Sequence, residues 1–422
     1  GDTAVSIRRN NYGLTFGGGR DDGFRANSKS ENYFLLYQYD FIQKEAEALS
    51  LHLQSMAKKN RLPGPVYQPT PEDDQSDIKH CLSLVGRKIM AEGLWEYKVY
   101  GDYWHETSYT FGKNYDYRFR NYGTDLAGLY VWGRHEALFG INAVNSHTDS
   151  TDYGEHRLTN TGVFMQDSWS IAEQWKLISG LRRDTGGKYN SPLCPRVGLV
   201  YLVDDHFSLK FGYGKAFRSP TISDLYSPYG GNPDLKPETG ERYDITGEWR
   251  NNMHTVSLNV YQSKLRDGID WMWVGPNDWD WAVQNFKKVR VIGANINWQA
   301  EWNDYLNSTV KYCRNDKEKW DPGTDSYSED NFFGRNKLTL GLSFKRAAVS
   351  SNLNWEYVWD RSDQSAHEME DYDVINWNLA YTVKGLVTYK LSINNLADKD
   401  YEIYYGYPVS EREYKISCSY AF

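Results

Sequence analysis

Arg412–Phe422 reads REYKISCSYAF. Laid out as an extended strand, it puts Tyr414, Ile416, Cys418, Tyr420 and Phe422 on one face and Lys415, Ser417 and Ser419 on the other. Aromatic and apolar residues on one side, with small polar and charged residues on the other, suit a sheet standing between lipid and water. An ordinary amphipathic edge strand alternates in the same way, so this stretch is decisive only in company. The company is ample. In FSLKFGY (Phe207–Tyr213), Phe207, Leu209, Phe211 and Tyr213 oppose Ser208, Lys210 and Gly212. TVSLNVY (Thr255–Tyr261), KLTLGLSF (Lys337–Phe344) and VTYKLSI (Val387–Ile393) repeat the period of two, which marks half-buried strands.

The breaks between these strands come in two kinds. Val203–Asp205, Asn251–Asn252, Asn303–Asp304 and Lys384–Gly385 are tight. Residues 59–77, 146–156, 219–236, 267–285, 315–331 and 362–371 are long and polar. Short turns alternating with long loops are the pattern of a transmembrane antiparallel β-barrel, with periplasmic turns at one end and extracellular loops at the other. The spacing predicts about 20 to 22 strands, and an even number is expected of a bacterial single-chain barrel. Residues 1–422 read as one barrel domain without a linker. Residues 44–48 are the one helical expectation outside the loops.

Composition agrees with a barrel. The mean hydropathy of −0.73 and the lack of any apolar run of about 18 residues exclude helical membrane spans. Yet 16 % of the chain is aromatic, with 34 Tyr and 16 Trp, as expected where rings form girdles at both membrane interfaces. The net charge of −8 gives no support for a nucleic-acid partner. Cys81, Cys194, Cys313 and Cys418 are scattered, with no metal-binding spacing. Cys418, on the apolar face of its strand, reads as a free thiol acting as a small apolar residue. No nucleophile elbow, zinc-protease helix or phosphate loop occurs, so no enzyme is expected. Gly17-Gly18-Gly19 reads as a lumen-facing or bulged part of a strand.

Three segments carry a family resemblance. Tyr213–Glu241 reads YGKAFRSPTISDLYSPYGGNPDLKPETGE, Thr159–Asp184 reads TNTGVFMQDSWSIAEQWKLISGLRRD, and Ile393–Phe422 reads INNLADKDYEIYYGYPVSEREYKISCSYAF. With their F-R-S-P, N-P-D-L-K-P-E and N-L-x-D-K-D-Y-E motifs, they resemble TonB-dependent outer-membrane transporters, and the last is most similar to the cobalamin receptor branch. The resemblance runs from about Arg157 onward and is loose before it, chiefly at Arg20–Ser28. In physical terms NPDLKPE is a stiff corner, because Pro233 and Pro237 remove two donors and fix φ. Haem receptors of similar pattern place a ligating His between these boxes; none lies between Phe217 and Leu235.

The resemblance implies a bacterial outer-membrane location amid lipid and lipopolysaccharide. It also implies a large ligand such as cobalamin and energy supplied by the TonB complex through a plug. Candidate ligand contacts are Trp271, Trp273, Trp279 and Trp281 in DWMWVGPNDWDW (Asp270–Trp281), with Tyr226 and Tyr229 of the preceding exterior loop. For the four indoles an interfacial girdle or packing within the loop stands beside the ligand reading. Cobalamin receptors often order such loops with calcium, for which Asp149, Asp152, Asp278 and Asp280 are the candidates; a solvated acidic loop is the rival. Tyr414, Ile416, Tyr420 and Phe422 form the expected assembly signature of the closing strand. The family carries a plug domain that these residues do not contain. A plug supplied as a separate polypeptide, or removed from the chain, is expected over an open pore. Siderophore or haem uptake and a passive porin are the alternatives.

Overall fold

Alternating residues of this kind favour one sheet with two unlike faces, and the computed structural model is built that way. It describes the chain except residues 187–188, 276–280, 333, 364–366 and 422. Among the described residues, 23 strands form one sheet. Two of these are exterior flaps, Tyr189–Asn190 and Ser326–Glu329, each paired with a single neighbour. The remaining 21 run from Asp2–Arg8 to Glu413–Tyr420, each antiparallel to the next in sequence. The all-β class and the expected count of about 22 thus hold, whereas the expected even number does not: 21 wall strands are described.

The lipid face is continuous across the ladder. Tyr97 lies opposite Leu126, Leu126 opposite Ile141, and Ile141 opposite Val163. Farther round, Phe211 faces Ile245, Ile245 faces Val260, and Leu258 faces Ile296. Near the end Leu379 faces Leu391, and Leu391 faces Ile416. Rings crowd the periplasmic turns: His135 stacks between Trp132 and Trp169 at 5.2 and 5.4 Å, and Trp175 lies 4.1 Å from Tyr201. Amphipathic rings settle at such an interface because one edge can stay wet while the body meets acyl chains.

Several loop expectations need correction. Residues 44–48 are not helical: Ser30–Lys44 and Glu47–Arg61 meet in a tight hairpin. The segment 146–156 is mostly strand, since His135–Ser150 and Gly154–Ala172 leave a turn of three residues. Likewise His254–Trp273 and Trp281–Asn303 consume most of 267–285. Outside the bilayer a ladder needs no apolar face, so in these polar stretches the hairpins simply continue into water. The Gly17–Gly19 run carries no bulge, its registers being unbroken on both sides. A Cβ at Gly17 would lie 2.7 Å from the Ala4 Cβ, so the run allows close packing of the first strands.

The first and last strands are edges. Among the described residues no ladder joins Asp2–Arg8 to Glu413–Tyr420, and both are exposed along their whole length. Lys415 Nζ reaches across to Asp2 Oδ2 at 2.8 Å.

Candidate functional site: the exterior mouth

The exterior loop 219–237 is built from its sequence in steps. Thr221 caps the short helix α1, Ile222–Tyr226, in a reciprocal box with Asp224. Arg218, the arginine of F-R-S-P, holds Asp224 Oδ2 at 3.2 Å and Glu238 Oε1 at 2.5 Å, tying the loop's start to its end. Pro233 and Pro237 stiffen the return. The corner reading of NPDLKPE therefore matches the observed geometry.

This loop docks on the hairpin of His254–Trp273 and Trp281–Asn303. Leu225 and Leu235 are buried against Ile269 and Val283, the last only 1 % exposed. Polar clamps surround this small core. Val283 N–H donates to Gly230 O at 2.8 Å, and Asn232 Nδ2 donates to Val283 O at 3.1 Å. Asn285 receives Lys236 N–H at 2.7 Å and donates to the carbonyls of Lys236 and Asp267. Gly230 has φ +127°, and a Cβ there would collide with the Trp281 carbonyl oxygen, so this close approach requires glycine.

The candidate rings distribute as follows. Trp271 is paired with Val283 and Trp273 with Trp281, so all three indoles share the hairpin face that receives the loop. They are 41 to 52 % exposed. Tyr226 packs on the small core and stacks on His156 at 3.8 Å. Tyr229 is exposed beside Lys113. The structure thus brings Tyr226, Tyr229, Trp271, Trp273 and Trp281 to one side of the mouth; Trp279 lies outside the described residues. His156 escaped the sequence reading, because a lone histidine after a turn carries no motif.

The acidic candidates are not assembled. Asp152 accepts the Tyr117 hydroxyl at 2.6 Å, and Asp149 faces Arg118 at 3.8 Å. Among the described residues no three His, Cys, Asp or Glu side chains converge as a metal site. Asp278 and Asp280 lie outside the described residues. The described pair alone does not supply the 6 to 8 oxygens that calcium takes. Burial, with the nearby Asp152 and Glu106 carboxylates, pushes the Tyr153 phenol above its ordinary range.

A second exterior anchor was also missed. Arg361 is 5 % exposed and donates to the carbonyls of Glu370, Glu402 and Ile403 at 2.6 to 2.9 Å, with its guanidinium over the Tyr372 ring. It locks two exterior loops together, and no local motif announces it. The assembly signature places Tyr414, Ile416 and Tyr420 on the outer face of the last strand, 63, 81 and 62 % exposed. Phe422 lies outside the described residues.

Comparison with known proteins gives this geometry a context. The chain is 25 % identical over 309 residues to a vitamin B12 transporter of Photobacterium profundum, covering 71 % of this chain and 48 % of that protein. It is 24 % identical over 341 residues to an iron-regulated outer membrane virulence protein of Vibrio cholerae, covering 71 % and 50 %. The chain spans about half the length of the curated relatives it matches. Among solved structures it superposes on the copper transporter OprC with a TM-score of 0.82 at 17 % identity, covering 100 % of this chain and 78 % of that one. The FrpB iron transporter from Neisseria meningitidis gives 0.80 at 13 %, covering 99 % and 78 %. These likenesses show the fold. The family model described as TonB dependent receptor-like, beta-barrel, matches residues 2–396, and the chain belongs to that family of outer-membrane receptor barrels, which is not a class of enzymes.

Proposed function

We propose that the chain is the barrel of an active transporter for cobalamin or related corrinoids, working with a plug supplied outside these 422 residues and energised through TonB. The observation that carries the reading is the mouth. A stiff, docked loop and a Trp-lined hairpin present five described rings on one side of the opening, a surface suited to a large ring system. The likeness to vitamin B12 transporters supports the same ligand class. In this mechanism the exterior loops capture the ligand above the plug, and TonB-driven rearrangement of the plug lets it pass through the lumen. No bond is made or broken.

A plug also suits the inner wall. Phe34, Leu36, Met56 and Trp104 line a groove of about 520 Å³ beside Lys79 and Asp102. An apolar groove on the wall of an open aqueous pore would stay wetted at a cost; a packed plug covers it. Calcium enters the proposal through the acidic candidates of the sequence, Asp149 with Asp152 and Asp278 with Asp280.

The test is equilibrium binding of cyanocobalamin to the purified protein, with and without calcium, with co-purifying small proteins identified by mass spectrometry. Sub-micromolar binding that depends on a plug polypeptide supports the proposal, and tightening by calcium that D278N/D280N removes supports the ion. Absence of binding together with large open-channel conductance refutes it. The rival is an iron-chelate receptor, favoured by the 24 % identity to the iron-regulated protein of Vibrio cholerae; binding of a ferric chelate in place of cyanocobalamin establishes it.

A further inference from the structure

The strands Gly93–Thr110, Lys113–Trp132, His135–Ser150 and Gly154–Ala172 pair without a register break, so their faces follow from parity. Leu126, opposite Tyr97 and Ile141, marks the lipid side. Asn121, opposite Asp102 and Ser146, marks the lumen side. Tyr115, Tyr117 and Phe119 share the parity of Asn121. Trp104, opposite Phe119, and His156, opposite Thr148, face the lumen too.

These lumen-facing rings are consecutive neighbours. Trp104 lies 4.6 Å from Phe119, Phe119 lies 6.4 Å from Tyr117, and Tyr117 lies 6.2 Å from Tyr115. Toward the mouth Tyr117 lies 6.1 Å from Tyr153, Tyr153 lies 6.3 Å from His156, and His156 stacks on Tyr226 at 3.8 Å. All of them are half-buried, so each keeps part of its ring open. The path leads from the mouth cluster to the edge of the inner-wall groove.

We propose that this path is a binding track for an uncharged or cationic ring-bearing ligand. The inference rests on the transport reading and narrows its substrate class. Centroid steps of about 4 to 6 Å let a planar group engage the next ring before leaving the last. The charges on this face beside the rings include Asp77, Asp102, Glu106 and Asp152 against Lys58, Lys79 and Lys113, and farther along Glu96, Asp125 and Glu136 against Lys98. Lys79 lies over Trp104, whose indole N–H donates to Asp77 at 2.8 Å. Arg118 and Arg120 have the opposite parity. Among the described residues of these four strands carboxylates are thus not outnumbered and no arginine shares the parity of the rings, whereas a polyanionic chelate is recognised by clusters of guanidinium groups.

The test uses the full-length outer-membrane protein and two probes: cyanocobalamin, which is uncharged and ring-bearing, and a trianionic ferric tris-catecholate. Kd is measured for wild type and for Y117L, F119L and the double variant, which keep apolar bulk but lose the rings. Heat-modifiable mobility confirms folding, and W169L, in the periplasmic girdle, is the control. Cyanocobalamin should bind wild type, weaken about three- to ten-fold per ring removed, and be unaffected by W169L. Cyanocobalamin binding that ignores Y117L and F119L overturns the track and leaves the transport reading standing. Preference for the tris-catecholate overturns the charge argument along with the corrinoid assignment, and failure of both probes to bind wild type overturns track and corrinoid reading alike. Loss of a co-purifying plug in Y117L/F119L, with cyanocobalamin affinity unchanged, assigns the rings to plug packing and overturns the track.

Discussion

Replacing Leu235 with Ala isolates what holds the mouth. Leu235 is 5 % exposed in a core of four residues that joins loop 219–237 to the Trp hairpin. Truncating a buried leucine costs about 2 to 5 kcal/mol. The loss falls on the docking equilibrium of the loop, because the strand ladder beneath it is untouched. At about 1.4 kcal/mol per tenfold, even the lower half of that range raises the open population by about 30- to 300-fold. The polar clamps at Asn232 and Asn285 remain and cap the effect near the loop's own docking free energy. Hydrogen exchange reads the result directly, since the Val283 amide donates across the joint to Gly230 O. Its protection should fall by that factor, residues 219–237 should become sensitive to protease, and the melting of the barrel should not move. Unchanged protection at Val283 would refute the argument that this small core carries the docking. A barrel that melts earlier would refute the separation of loop from wall.

Three further outcomes follow from other contacts. Arg361→Lys should free both loops it joins, raising exchange in 360–371 and 395–412 together, because an ammonium cannot reproduce a planar fork on three carbonyls; exchange rising in one loop alone would show that the coupling is not through Arg361. Asp204 accepts the amides of His206 and Phe207 at 2.7 and 2.8 Å, which hold its carboxyl below the ordinary range. A depressed value means the turn's extra stability is present above about pH 4 and is lost as pH falls through the lowered value. The protection factors of those two amides should therefore drop only in acid, and D204N should abolish the dependence. In the double variant D2C/K415C direct oxidation should give no disulfide, since the two strands are not ladder neighbours, whereas a flexible bifunctional thiol reagent should bridge them; spontaneous oxidation would show the strands adjacent.

The sheet was legible because its rule is local. Period two in Phe207–Tyr213 or Val387–Ile393 needs no distant partner to be seen, and the tight turns at Asn251–Asn252 and Lys384–Gly385 carry their own chemistry. Loop lengths were misjudged where the rule changes at the membrane surface: in 146–156 and 267–285 the ladder persists after the apolar face has ended. The mouth was partly legible. The Trp-rich stretch and Tyr226 stood out by composition, and the two prolines of NPDLKPE dictated a corner. Arg361, His156 and Asn285 did not stand out, because their roles arise from partners 9 to 49 residues away or more. A buried arginine looks like any surface arginine until the carbonyls around it are known. The lumen-facing rings at 115, 117 and 119 alternate as an outer strand would, and only the register against Asp102 and Ser146 assigns them inward.

Strand direction sets a last constraint. With 21 strands, each antiparallel to the next, the first and the last point the same way, both running from the exterior loops toward the periplasmic turns. Two such edges cannot be joined by the antiparallel ladder that joins every other pair in the wall. Their lumen-side contact is accordingly a side-chain ion pair, Lys415 with Asp2, more than half exposed on both sides and worth little in water. Closure in the style of the rest of the wall takes an odd number of intervening strands, the smallest being one that rises from the periplasmic end to the exterior. That parity is independent of which ligand the mouth takes. Any strand completing the wall between Glu413–Tyr420 and Asp2–Arg8 therefore runs opposite to both, whatever chain supplies it.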